Sequence, residues 1–223
     1  RECPDLIDYN VQSGNFTQRY ADEFWRILVS WERERLLAWI EEQFPTGAGP
    51  TEPRFWLDAA FNNPSQPVVG VCWYEAMAYA AWLAVVTGQA YRLPSEPEWE
   101  WAARRGDRLF PWGDAWDAGR LNSLEGEERV MRTTPVGIYP YGMTPDGIHD
   151  MAGNVYEWTA TRYAGYPHTV SENLENPDTT GLRVRRGGGW AANRTMVRCA
   201  FRYWVVPWNG FDSLGYRLAR TLS

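Results

Sequence analysis

Three thiols, two imidazoles and one cluster of carboxylates are the residues of this chain whose types could do chemistry. Cys3, Cys72 and Cys199 stand at no metal-ligand spacing and make no disulfide framework, so they read as small buried apolar groups. A zinc or non-haem iron centre would have only His149 and His168 to draw on for imidazole nitrogen. Neither has a Ser, Cys or Asp at a spacing that would make it a catalytic base, so both read as surface or packing residues. Glu96, Glu98 and Glu100 near Asp107 invite an acid–base pair. Ser95 and Glu98, however, have the spacing of a capping box, and Glu96 suits the helix dipole. The structural reading therefore wins. All 22 basic residues are arginine, which removes Schiff-base and P-loop lysine chemistry and hints at a GC-rich, thermophilic source.

The densest information lies in residues 183–220, RVRRGGGWAANRTMVRCAFRYWVVPWNGFDSLGYRLAR. Gly187, Gly188 and Gly189 permit a tight turn or a close backbone approach. Trp190 supplies an anchor, and residues 214–219 read as a half-buried strand. Between them Ala191, Ala192, Asn193, Thr195, Phe201, Tyr203, Val205, Val206, Asn209, Phe211 and Asp212, with Gly210 and Ser213, follow neither a helical nor a strand period. A rigid frame around an unpatterned middle reads as a binding surface that displays side chains rather than an active site.

The elements that must hold this surface are legible upstream. Residues 16–44 carry Trp25, Leu28, Trp31, Leu36 and Ile40 at helical spacing, and Pro45-Thr46-Gly47-Ala48-Gly49-Pro50 breaks that helix. After a loop at 62–67, Val68-Val69-Gly70-Val71 reads as a short strand. A helix follows from Trp73 to Val86 with Gly88 as its stop, and another begins at Ser95 with Pro97 in its first turn. From Gly106 onward the chain is loop-rich. With 223 residues the chain can bury a sizeable core, to which 14 Trp and 12 Tyr contribute heavily. A net charge of −6 argues against nucleic-acid binding. No stretch is apolar and long enough to span a bilayer, and no N-terminal signal pattern is visible, which favours the cytoplasm.

Residues 67–104, Phe110-Pro111-Trp112-Gly113, Thr134-Pro135-Val136-Gly137, Gly153-Asn154-Val155-Tyr156-Glu157-Trp158 and the Arg186-Gly187-Gly188 to Arg217 region resemble, in the same order, the formylglycine-generating enzyme family of the C-type lectin fold. The resemblance implies an α+β fold, loop-rich with short strands and a few helices. It covers a domain at 53–223, preceded by an atypical helical portion at 1–52. Enzymes of that family oxidise a substrate cysteine with a copper-binding cysteine pair placed after the Gly-Gly-aromatic turn. Here Ala191-Ala192-Asn193-Arg194-Thr195-Met196-Val197 has no thiol, which implies no copper and no catalysis of that kind. Ergothioneine-type sulfoxide synthases share the fold and hold iron with histidines of a fused helical domain. The N-terminal helix here has none, so no iron is expected.

The frame also resembles the variable proteins of diversity-generating retroelements. In these, adenine-directed mutagenesis of asparagine codons reaches Ala, Asn, Thr, Phe, Tyr, Val, Gly, Asp and Ser, the types found at the thirteen positions above. That resemblance implies a non-catalytic protein whose hypervariable face binds a protein or other macromolecular ligand. The alternatives are a divergent oxidase of the family, or a scaffold or regulatory module of a larger protein. Asp150, Gly153, Val155 and Glu157 resemble the family's calcium loop, with two carboxylates and two carbonyls as an all-oxygen set. Asn122 and Ser123 stand where a second such site begins, although residues 124–132 lack the aspartate expected there.

Overall fold

The computed structural model describes residues 52–167, 173–179 and 181–221, together with Arg35. The chain divides into two units, 1–47 and 48–223, and the helices and strands from Trp73 onward belong to the second. The helix expected over 16–44 and the break at 45–50 lie outside the described residues, as do Cys3 and His168.

Helix α1 runs over Trp73–Thr87. Its alanines and the lack of internal Gly or Pro favour the helix, and the Glu75 carboxylate accepts the Cys72 N–H at its start (2.6 Å). Gly88, at φ 66°, ends it in the left-handed conformation that its sequence position suggested. Ala76 and Ala80 face inward beside Trp73, so α1 can pack closely, while Trp82, Val85 and Val86 lie on its exposed side. Strand β1 (Ala90–Arg92) leads to α2 (Glu96–Arg104). The capping box forms as the sequence indicates: Ser95 Oγ accepts the Glu98 N–H, and Glu98 Oε2 accepts the Ser95 N–H at 2.8 Å.

After α2 the backbone is mostly irregular until β2 (Tyr156–Arg162), the centre of a four-stranded sheet with β3 (Arg183–Arg186), β4 (Tyr203–Val205) and β5 (Leu214–Tyr216). The order is β4-β3-β2-β5, with β5 parallel to β2 and the other pairs antiparallel. Strand β6 (Ala219–Thr221) leaves that sheet and pairs with β1. This is the α+β class expected. Two local expectations differ. Val68-Val69-Gly70-Val71 forms no strand, because Gly70 turns to φ 74° beside the Phe55 ring, which a Cβ at that position would approach to 2.6 Å. The segment 214–219 also divides its pairing between two sheets instead of making one strand.

Six of the seven residues of β2 are buried, so both of its faces are covered. Tyr156, Trp158 and Ala160 join the core cluster built on Trp73. On the other face Glu157 accepts from Trp99 Nε1, and Thr161 Oγ1 accepts the Glu96 N–H, which ties the polar side of β2 to α2. Trp73, Trp99 and Trp158 are almost fully buried, and each indole N–H has an acceptor within the fold. Removing any one of these rings would cost about 3–5 kcal/mol.

Candidate functional site

The frame below the C-terminal segment is fixed by ion pairs and glycine turns. Arg186 is fully buried; it donates to Glu100 at 2.5 Å and to the carbonyls of Cys199, Ala200 and Phe201. Arg202 makes a two-pronged pair with the buried Glu96 (2.8 and 2.5 Å). These four side chains clamp residues 199–202 onto α2. Gly187 and Gly188 take φ of 92° and 73°, and a Cβ on Gly188 would fall 2.7 Å from Val197. Trp190 donates from its ring to the Asp212 carbonyl, so both ends of the segment are joined.

On this frame the thirteen predicted binding residues separate by depth. Ala191, Thr195, Tyr203 and Phe211 are exposed; Asn193, Phe201, Val206, Asn209, Asp212 and Ser213 are partly so. Ala192, Val205 and Gly210 are buried, which corrects their reading as display positions. Ala192 and Val205 pack into the main core cluster. At Gly210 a Cβ would stand 2.6 Å from the Gly70 carbonyl oxygen, so no side chain fits. Asn193 is a turn former, its Oδ1 accepting the N–H groups of Thr195 and Met196. Thr195 also lines a shallow cleft of about 250 Å³ with Phe110, Asp114, Trp116, Arg194 and Arg198.

The exposed rings converge on a residue that the sequence reading left out. Arg185, in β3, lies opposite Tyr203 of β4 in the sheet register. Its guanidinium carbon sits 4.1 Å from the ring centre of Tyr156, 5.1 Å from that of Tyr203 and 5.7 Å from that of Phe211. Phe201, Tyr203 and Trp204 continue the surface as near-parallel stacked rings, with centroids 6.2 and 5.6 Å apart. Among the described residues the Arg185 side chain has no hydrogen-bond or ion-pair partner, and its Nε is buried without an acceptor. Burial pushes its pKa below the ordinary arginine value, but a guanidinium remains charged at any physiological pH. A signal was present in the sequence: three arginines in the four-residue run Arg183-Val184-Arg185-Arg186 are more positive charge than a buried strand holds without purpose.

The predicted metal residues are already engaged. The Glu157 carboxylate takes both prongs of Arg217 (2.5 and 2.6 Å) as well as the Trp99 indole N–H. Arg217 Nη2 also donates to the carbonyls of His149 and Asp150. A guanidinium thus supplies the positive charge at the loop of Asp150, Gly153, Val155 and Glu157, and calcium gains no support. Asp150 Oδ2 accepts the Gly137 N–H instead, and burial raises its pKa. Asn122 is held by Arg132 and Asn154, while Ser123 Oγ is buried without a partner. Neither residue is joined by a carboxylate ligand, and among the described residues no three His, Cys, Asp or Glu side chains converge.

That donor set fits neither copper nor iron. Cys72 caps α1, whereas Cys199 is packed with Trp99, Ala103 and Met151. Burial pushes their thiols up to about 11 and about 12, and their separate surroundings give no paired-thiol site of the kind copper(I) favours. His149 is the histidine among the described residues, and its Nδ1 is buried without a partner.

Comparison with known proteins corrects the functional expectation. The chain is 36% identical over 194 residues to a hercynine oxygenase of Mycolicibacterium thermoresistibile, covering 77% of this chain and 42% of the relative. It is 33% identical over 228 residues to the hercynine oxygenase of Mycobacterium tuberculosis, covering 98% of this chain and 49% of the relative. The chain thus spans about half the length of the curated relatives it matches. These names overturn the expectation that the chain is no enzyme. That expectation rested on a missing thiol pair, which tests only one of the chemistries a fold can host. They also stand against the expectation that iron plays no part, although the described residues offer no set of ligands for it.

Among solved structures, PvdO from Pseudomonas aeruginosa matches with a TM-score of 0.62 and 32% identity, over 72% of this chain and 64% of that one. Treponema denticola variable protein 1 matches with a TM-score of 0.60 over 82% and 80% of the two chains. At 22% identity this second likeness shows the shared fold alone, and a diversified surface does not follow from it. Residues 11–222 match the sulfatase-modifying factor enzyme 1-like domain, and the chain belongs to that family.

Proposed function

We propose that this chain is the substrate-recognition domain of an oxygenase- or oxidase-type enzyme of the family, and that β3, β4 and the loop at 206–213 receive a small organic substrate. The observation that carries the reading is the pair of exposed rings, Tyr203 and Phe211, at Arg185, continued by the half-buried Phe201 and Trp204 and standing on a buried frame of paired charges. Flat rings at an open strand edge offer apolar contact to a planar ligand at low entropy cost. The name hercynine oxygenase among the relatives supports a small-molecule substrate, and hercynine is the first compound to titrate.

In this reading the described residues bind and orient; they hold no redox group, and no step is assigned to one. Isothermal titration of the protein with hercynine should give saturable binding that weakens at least about tenfold in Tyr203→Ala, since an aromatic anchor at a binding face contributes on that scale. Binding that is absent, or equal in the variant, would overturn the assignment of this face.

A further inference from the structure

The fully buried arginines of this sheet are paired, and so is Arg217 just beyond it. Arg186 has carboxylate and carbonyl acceptors, Arg217 has Glu157, and Arg183 donates to the carbonyls of Ala160, Asn176 and Thr179 while its guanidinium lies 3.9 Å from the Trp73 ring centre. Arg185 has rings on its flanks and no acceptor among the described residues. Arg162, at the far end of β2, shares the lack of a side-chain acceptor but has no aromatic face framing it among the described residues. The Nε of Arg185 is sealed from solvent, while the residue as a whole is only partly buried. A half-buried charge with no counter-charge is a costly arrangement for a fold to keep. The rings offset part of that cost and hold the guanidinium plane still, which is the preparation that a two-pronged hydrogen-bonded partner requires.

We infer that Arg185 is a carboxylate-recognition site, and that the ligand of this face carries one carboxylate next to a flat body that lies on the Tyr203 and Phe211 rings. The shape of a carboxylate matches the guanidinium fork. A single cation also sets the ligand charge. Arg54, the guanidinium that donates to the Gly210 carbonyl in the same loop, faces the Asp212 carboxylate, so Arg185 is the cation left to meet a monoanion. The overall charge of −6 disfavours a dianion further. The inference rests on the proposal that this face receives a small substrate, and it names what that substrate must present.

The test uses four probes on the wild-type protein and on Arg185→Met, which keeps most of the stem and removes the charge. Hercynine and its carboxamide are titrated first, then benzoate against phenyl phosphate, with thermal unfolding run on both proteins. The expected result is that wild type prefers each carboxylate over its partner probe by at least about tenfold, that the preference vanishes in Arg185→Met, and that the melting temperature does not fall. If both hercynine probes bind equally, or phenyl phosphate binds more tightly than benzoate, the carboxylate assignment is overturned while the face remains a binding site. A benzoate preference that depends on Arg185 without any hercynine binding would support the site and remove hercynine as its ligand. If no probe binds, both readings fall. A variant that melts much lower yet keeps its preference would show Arg185 to be a stacking element of the fold.

Discussion

Arg186 and Arg185 are adjacent on β3, and the strand's alternation sends them to opposite faces of the sheet. Arg186 is enclosed by α2 and the 199–202 segment, where Glu100, Glu96 and three carbonyls engage both of its Nη groups and only Nε lacks an acceptor among the described residues. Arg185 is enclosed by Tyr156, Tyr203 and Phe211, which stack on it, and among the described residues its N–H groups have no acceptor. The same side chain is thus a structural clamp in one position and an open hand in the next. What distinguishes them is the inventory of acceptors, and burial alone would have ranked Arg186 as the more unusual residue.

The contrast can be broken most severely at the clamp. Arg186→Met strands Glu96 and Glu100 with one cation fewer and leaves three carbonyls unanswered, so a loss of about 3–5 kcal/mol is expected in urea unfolding. A loss below about 1 kcal/mol would mean that the clamp is not what holds residues 199–202. Next is the footing of the loop: Gly210→Ala puts a methyl against the Gly70 carbonyl, backbone against backbone, and should cost about 1–3 kcal/mol.

Arg185→Met sharpens the comparison from the other side. Because it removes an unpaired charge, stability should stay within about 0.5 kcal/mol of wild type, or rise, while carboxylate preference is lost. The smallest effect concerns an exposed pair that involves neither arginine. The hydrogen bond from Arg92 holds the Glu98 carboxyl down at about 2, from an ordinary 4.5. A depressed carboxyl contributes stability that is present above the unfolded value and lost as pH falls toward the folded one. Wild type should therefore lose more stability than Glu98→Gln between pH about 5 and about 2, and equal losses would show that the pair contributes nothing.

Both helices were legible from local signals, because caps and stops are written within a few neighbouring residues. Ser95 with Glu98 and the Gly88 stop are of this kind. The failures were of a different nature. Val68-Val69-Gly70-Val71 looks like a strand until the Phe55 ring is placed against Gly70, and nothing near Gly70 in the sequence announces that ring. Glu157 looks like a calcium ligand until Arg217, sixty residues on, is found holding it. Ala192, Val205 and Gly210 looked as free as their neighbours because a segment without period gives no indication of which side chains turn inward. Phe201, Tyr203 and Phe211 were singled out as surface residues, and the structure leaves Tyr203 and Phe211 exposed and Phe201 partly so. Arg185 was not singled out, because its distinguishing property is a missing partner, and an absence of that kind exists only in three dimensions.

The parallel pairing of β5 with β2 also dictates when the recognition face comes into being. No tight turn can deliver a parallel neighbour, so Leu214–Tyr216 has to arrive from far along the chain to lie beside Tyr156–Trp158. On the ribosome β2 is made long before that partner, and one of its edges waits open until the last part of the domain emerges. Only then are Phe211 and the 206–213 loop drawn in over Arg185. The ring of Phe211 is thus among the last pieces to reach Arg185, and the face proposed to receive a substrate is finished only when the sheet is.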